Sequence, residues 1–336
     1  MKVAKGLVYQ MIVSMIDDED LQNELLAELD ARPSADQHPL DDMIPVERLN
    51  AAHHRLEKIS GDEFVSWRFG HLFELDTLGV LGYLWKHSST LEDMVEHHVK
   101  FLGVLMDVVT ATFEPVPGGR KIEWTPLPLW EKQDLIAMQR EHEAAIGFFC
   151  KAIQVMTGKN IKPKSIGMLR KRPSTYPESF GNYIDLITFR AKRHSITFHD
   201  YDLRRPLTTF NPHLLKTLEA YASELLSNMN ENQDFPAQVE QVLIKNYSGE
   251  FLQIDEVAGH FNTSTRNLQR RLGESGASFR QVLNNVKLSM AQVYLKNPSF
   301  SVGEVGFLLG YAEPPAFMRF FKKHSGMSPS EFRHKL

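Results

Sequence analysis

Two stretches near the C-terminal end of this 336-residue chain carry the side chains best suited to contact another macromolecule. In the first, Ser264 and Thr265 precede Arg266, Gln269 and Arg270, while Leu268 and Leu272 recur at the spacing of a helix that buries one face. Arginine pairs bidentately with guanine and glutamine with adenine, so Arg266, Gln269 and Arg270 are types that base edges in a DNA major groove select. In the second, Phe317 and Phe321 mark the inward face of a helix, leaving Arg319, Lys322 and Lys323 for bases and phosphates. Pro315 stands at its start and offers neither a side-chain hydrogen bond nor an N–H, so this unit is expected to read shape or thymine methyls and to anchor through Arg319.

The flanking residues supply what is needed to position these helices. Ile254, Val257, Ala258 and Phe261 make a short amphipathic helix, Asn262 tolerates the left-handed turn after it, and Ser264 is a good N-cap for the next helix. The plan repeats with a Ser301/Glu304 capping box, Val302, Val305 and Leu309 facing inward, Gly310 at the turn, and a helix from about Glu313. Between the two units, Phe279 to Leu295 places Val282, Val286, Met290 and Val293 on one face of a connecting helix, and a further helix runs from Pro236 to about Tyr247. Two helix-turn-helix units, 254–272 and 302–321, held on one rigid domain should enter successive major grooves about 34 Å apart. Charge agrees with a DNA partner: from Ala237 onward there are 12 Lys+Arg against 8 Asp+Glu, net +4, leaving 26 against 34, net -8, for residues 1–236.

Composition narrows the remaining classes. No apolar run reaches the length of a membrane span, and the N-terminal residues lack the basic and long apolar stretches of a signal peptide, Asp17 and Asp18 interrupting Leu7 to Ile16, which predicts a cytoplasmic protein with no membrane partner. Cys150 is the single cysteine, so no intrachain disulfide or multi-cysteine zinc site forms. It lies in Phe148-Phe149-Cys150 of a periodic helix and reads as a small buried hydrophobe; a repair or modifying enzyme using Cys150 as acceptor is the enzymatic alternative, supported only by the neighbouring Lys151. His97-His98 beside Glu96, and Glu141-His142-Glu143, lack the two-histidine spacing of a helical zinc site and read as solvated charged faces. No phosphate-binding loop or nucleophile elbow occurs, so no catalytic residue, cofactor or metal is expected.

Upstream of the two units the chain reads as α+β, with helices at Val46–Ile59, Leu91 to about Met106 (capped by Thr90) and Asp134–Met156. A hairpin is expected across Pro117-Gly118-Gly119, and short strands at Ser165–Leu169, Tyr183–Phe189 and Ser195–Phe198. Trp67, Phe73, Tyr83, Trp85 and Trp124, with Phe69 and Trp130, either fill an ordinary core or line a pocket for an apolar or amphipathic small molecule. His194 or Arg190 could anchor a carboxylate. Leu214, Leu218, Tyr221 and Leu225 in Pro212–Leu226 form the seam of a short coiled coil, equally compatible with a homodimer contact and with an intramolecular face. The expected organisation is an α+β domain at 1–226, a polar linker at 227–235, and an all-α domain at 236–336 built from two tandem helix-turn-helix units and a linker helix.

The C-terminal region resembles the AraC/XylS family of bacterial transcription regulators. The resemblance rests on Leu268-Gln269-Arg270-Arg271-Leu272, Ser278-Phe279, Ala291, Leu309-Gly310-Tyr311, Phe317-x-Arg319-x-Phe321-Lys322, Gly326-x-Ser328-Pro329 and Phe332-Arg333. Looser motifs, among them Pro45-Val46, Leu78-Gly79-x-x-Gly82-Tyr83-Leu84, Arg172-Pro173, Phe180-Gly181 and Pro206-Leu207, make the N-terminal region similar to the effector domain of one subgroup labelled arabinose-binding. The resemblance implies a ligand-responsive transcription factor, an activator, with double-stranded DNA, a small-molecule effector, RNA polymerase and a second copy of the chain as partners. A constitutive DNA-binding protein without ligand is the alternative. The family usually carries polar residues where this sequence has Ala312, Pro314 and Pro315.

Overall fold

The structure is a computed structural model describing residues 1–32, 42–72, 74–231, 234–247 and 249–335. It divides into two compact units: Met1–Pro126 with Asp134–Ser227, and Leu127–Gln133 with Asn228–Leu336.

The first unit begins with β1 (Lys2–Ala4), α1 (Lys5–Met15), α2 (Glu19–Glu28) and β2 (Met43–Pro45). Antiparallel pairing of β1 with β2 was not expected from the sequence, because each is three residues long and pairs only across a long separation. There follow α3 (Val46–Ser60), α4 (Val65–Leu72), α5 (Val80–His87) and α6 (Leu91–Phe101). Gly82 allows a close approach: a Cβ there would lie 1.8 Å from the Leu75 carbonyl oxygen. Thr90 caps α6 by accepting from the Asp93 N–H, as the sequence anticipates, and the helix ends at Phe101 in a 3₁₀ turn.

Strands β3 (Val109–Val116) and β4 (Gly119–Pro126) form the expected hairpin. The short α7 (Pro128–Gln133) then joins the second unit, and the chain returns to the first in α8 (Leu135–Thr157), capped by Asp134 and closed by left-handed Gly158. Next come β5 (Ser165–Met168), α9 (Glu178–Gly181), β6 (Ile187–Phe189), β7 (His194–His199), α10 (Asp200–Leu203) and α11 (Pro212–Glu231). The strand expected from Tyr183 is shorter, because Ile184–Leu186 coil into a 3₁₀ turn first. The sheet order is β3-β4-β7-β5-β6, antiparallel except for β5 with β6.

Strand alternation gives this sheet two different faces. Phe113, Ile122, Trp124, Ile166, Ile196 and Phe198 are buried on the face that packs on α6 and α8. Lys121, Glu123, Ser165, Ser195 and Thr197 occupy the alternating positions and line an open polar face.

The second unit is all helical: α7 with α12 (Phe235–Lys245), α13 (Ile254–His260), α14 (Thr265–Glu274), α15 (Phe279–Lys296), α16 (Val302–Leu308), α17 (Pro314–Ser325) and α18 (Pro329–His334). Helix α15 is its axis, contacting α7, α12, α16, α17 and α18. Val282, Val286, Met290, Ala291, Tyr294 and Leu295 are buried along it. Trp130, grouped by sequence with the aromatic residues of the N-terminal half, is fully buried on the segment that packs with α15.

Candidate nucleic-acid interface

In the first helix-turn-helix, the turn runs through Asn262 at φ 48°, and Ser264 caps α14 by accepting from the Asn267 N–H at 3.2 Å. Leu268 and Leu272 are fully buried, which turns Arg266, Gln269 and Arg270 to solvent. The three are not equivalent. Arg270 is engaged along its own helix by Glu274 and by Asn267, 2.8 Å away, so it must leave these partners to reach a base. Arg271, inside the arginine-rich run, stacks its guanidinium 3.7 Å from the Phe235 ring centroid and ties α14 to α12.

The second unit is built on reciprocal capping. Ser301 N–H donates to Glu304 at 2.7 Å and the Ser301 hydroxyl accepts from the Glu304 N–H at 3.2 Å; the backbone hydrogen bond holds the Glu304 carboxyl below its ordinary range. Gly310, at φ 79°, makes the turn, and Phe317 and Phe321 are fully buried. Pro314 opens α17 where an N–H would lack an intrahelical acceptor, so the Pro-Pro pair begins the helix without breaking it. Pro315, Arg319, Lys322 and Lys323 are exposed, and so is Met318, at 43 %. Sequence reading passed over Met318; its signal was its place one helical turn after Pro315. Arg333 donates to the carbonyls of Leu295 and Phe300, at 3.0 and 2.7 Å, and holds α18 to the end of α15.

In the first unit, Trp85 stacks with Phe148 and lies 4.6 Å from Phe149, which Trp124 meets at 5.4 Å. Trp124 also donates its indole N–H to His98 at 3.1 Å. Trp67 belongs to a separate cluster with Phe180 and Tyr183. These tryptophans fill space against other rings; Tyr83 is exposed, and Phe73 lies outside the described residues. On α11, Leu214 and Tyr221 are exposed and Leu218 and Leu225 half-buried, while Glu219 of the same helix pairs with His97 at 2.9 Å.

The solvated faces expected at His97-His98 and at His142-Glu143 are instead buried. His142 stacks parallel on His194 at 5.1 Å, and one carboxylate oxygen of Glu143 accepts from Arg140 and Arg170 at 3.2 Å each. Their sequence context is charged, but α8 packs against α3, α4 and β7, and α6 against α5 and β3, so these polar residues are enclosed. His142 donates to the Met138 carbonyl through Nδ1, while the second carboxylate oxygen of Glu143 has no hydrogen-bond partner among the described residues. Among the described residues no group of three or more His, Cys, Asp or Glu side chains is placed to hold a metal. Burial pushes the Cys150 thiol up to about 12, which keeps it protonated and weakly nucleophilic.

Comparison with known proteins follows this division of the chain. Residues 22–207 match the arabinose-binding domain of AraC transcription regulators, and residues 257–335 match a helix-turn-helix domain. The chain belongs to the AraC family. The AraC-type chain is 23% identical over 290 residues to an ornithine utilization regulator of Pseudomonas aeruginosa, covering 84% of this chain and 82% of that protein. It is 30% identical over 149 residues to an HTH-type transcriptional regulator of Mycobacterium bovis, covering 44% of this chain and 43% of that one. The crystal structure of the transcriptional regulator CdpR from Pseudomonas aeruginosa aligns over 95% of this chain and 99% of that chain, at 16% identity and TM-score 0.44. This AraC-type protein is a DNA-binding transcriptional regulator with an α/β N-terminal domain and an all-helical C-terminal domain. No helix among its described residues is long and apolar enough to cross a membrane.

Proposed function

We propose that this regulator reads an asymmetric DNA site, with hydrogen-bonded base recognition at one end and apolar and electrostatic holding at the other. The carrying observation is the contrast between the exposed faces of α14 and α17: Arg266 and Gln269 on one, Pro315, Met318 and Arg319 on the other. Ser264 and Thr265 sit at the N-terminal end of α14, where backbone N–H groups favour a phosphate, and Lys322 and Lys323 add charge at the far end of α17. Pro315 and Met318 suit the methyl groups of thymine, which need contact and no hydrogen bond.

We further propose a homodimer in the cytoplasm, joined through the exposed Leu214 and Tyr221 of α11 with Leu218 and Leu225 at the margin. The regulator acts as an activator that engages RNA polymerase, with a small molecule in the first unit shifting its DNA affinity. Such a shift requires different affinity of that molecule for the two states. One relative that spans most of the chain is a regulator of ornithine utilization, which supports a metabolite as the signal.

Mapping of chromosomal binding sites, followed by operator variants and an affinity measurement with and without candidate metabolites, tests the reading. Sites with strong base preference at one end and thymine preference at the other are expected. Symmetric preference would overturn the asymmetric site, and operator affinity unmoved by any metabolite class would favour constitutive binding. Tyr221→Asp should yield a monomer in sedimentation; an unchanged dimer would place the seam elsewhere.

A further inference from the structure

Lys287 stands midway along α15, the helix that connects the two helix-turn-helix motifs. Its ammonium lies over two aromatic rings, 5.2 Å from the centroid of Phe251 and 4.8 Å from that of Tyr311, and each ring belongs to a different motif. We propose that Lys287 is a positioning residue for DNA reading, holding α14 and α17 at one separation and so determining which spacing of contacts along the duplex the protein accepts. This rests on the reading given above, in which both helices engage one site.

Phe251 is tied to the first motif. It lies two residues before Gln253, whose side chain and N–H form a capping box with Glu256 at the start of α13; the Gln253 N–H donates to Glu256 at 2.6 Å. The Phe251 ring is nearly enclosed and meets Tyr247, just past the end of α12, at 4.6 Å. Helix α13 packs in turn on α14, so a displacement of Phe251 is passed to the first recognition helix.

Tyr311 is tied to the second motif. It follows left-handed Gly310, and its N–H donates to the Gly306 carbonyl at 3.0 Å, closing α16. Its ring packs on Phe317 and Phe320 of α17 at 5.7 and 5.4 Å. Helices α16 and α17 contact α15 directly, whereas α13 and α14 contact α12, which itself lies on α15. The contact of Lys287 with Phe251 therefore gives the first motif a second point of attachment to α15, and a second point resists rotation about the first.

The chemistry at Lys287 suits holding. Burial lowers its pKa, and no carboxylate among the described residues offsets that effect. A cation so placed is stabilised by the negative faces of aromatic rings, most strongly where water is partly excluded. Lys287 is half-buried, while Lys322 and Lys323, the lysines offered to phosphates, are exposed.

The test uses the full chain on a DNA fragment selected for binding, and on derivatives with one base pair added or removed between the two contacted grooves. Each such change rotates one set of contacts by about a tenth of a turn. Wild-type protein should discriminate against the altered spacings. Lys287→Met keeps the length of the side chain without its charge and should shrink that discrimination by about threefold to tenfold, the size of one or two cation–π contacts. Base preference within each groove and the salt dependence of binding should not move. Lys287→Arg, whose guanidinium also stacks on rings, should restore most of the discrimination. Phe251→Leu, with Lys287 intact, should loosen spacing in the same direction and carries the test if the unfolding midpoint shows Lys287→Met to be misfolded. Unchanged discrimination in Lys287→Met overturns the proposal. So does equal weakening at every spacing with a salt slope lower by about 0.9, which would assign Lys287 to a phosphate. Wild-type protein indifferent to spacing overturns the single-site reading and the positioning role together, which separates that failure from the failure of Lys287 alone.

Discussion

The side-chain amide of Asn297 donates to the backbone carbonyl of Lys132 at 3.1 Å, joining positions 165 apart in sequence. Lys132 also holds its ammonium 5.3 Å above the Tyr294 ring, where burial lowers its pKa, and Trp130 beside it is fully buried. The short helix α7 thereby completes the core of the unit that carries both recognition helices, although the chain enters it from β4 and leaves it into α8. Its absence should be felt within that unit. Trp130→Ala should cost about 3–5 kcal/mol and Asn297→Ala about 1 kcal/mol, read by denaturation of the full chain. A fragment starting at Asn232, which lacks α7, should melt below the matching transition of the whole protein; equal midpoints would show that α7 adds no stability there.

In the first recognition helix, Arg266→Ala or Gln269→Ala should each remove about 1–3 kcal/mol of discrimination at one base position, with little change on sites altered there. Arg270→Ala should cost less, because Arg270 gives up Glu274 and Asn267 before it gains a base or phosphate. Affinity measured across a set of single-base operator variants separates these outcomes. Uniform weakening on every sequence would assign Arg266 and Gln269 to phosphates.

For the second recognition helix, replacing thymine with deoxyuridine removes only the methyl group. Each methyl in contact with Pro315 or Met318 should be worth about 0.8 kcal/mol, and Met318→Ala should abolish part of that difference. Lys322→Ala should instead weaken all sequences alike and reduce the slope of log affinity against log salt by about 0.9 if it neutralises one phosphate. Equal affinity for thymine and uracil sites would remove the apolar reading of α17.

Buried imidazoles should make the N-terminal unit sensitive to acid. Burial lowers His98 to about 3 and also lowers His142; His194 is lowered by burial, then by neighbouring His142 and Arg170. In the unfolded chain these groups titrate near about 6.5. Below that pH the unfolded state binds more protons than the folded one. Stability is therefore fully present above about pH 6.5 and falls as pH drops toward the folded values, by about 1.4 kcal/mol per pH unit for each histidine. Denaturation at stepped pH should show this slope, and His194→Phe should reduce it by about one proton. A flat profile from about pH 7 to about pH 5 would contradict the burial of neutral imidazoles.

Much of the DNA-binding unit was legible because its signals are local. Ser264, Ser301 and Thr90 cap helices whose partners lie three residues away, and Leu268, Leu272, Phe317 and Phe321 repeat at helical spacing, so neighbours in sequence determine both the helix and its buried face. The N-terminal half was less legible. The β1–β2 pair and the Arg190 turn depend on contacts between distant segments, and His97, His98, His142 and Glu143 look like surface residues in sequence because they sit among charges.

By itself the sequence determined the tandem helix-turn-helix plan, the α+β character of the other half, and the arginine and glutamine types offered to DNA, since these follow from periodicity, capping and charge. Tertiary structure decided which of those side chains are exposed, that Arg271 stacks on Phe235 and Arg333 binds backbone, and that α7 packs with α15. It also decided that the sheet leaves one polar face open while Trp124 on its other face is enclosed. The reason is physical: exposure, desolvation and hydrogen-bond satisfaction are set by what other segments bring to a residue, and no local pattern encodes those partners.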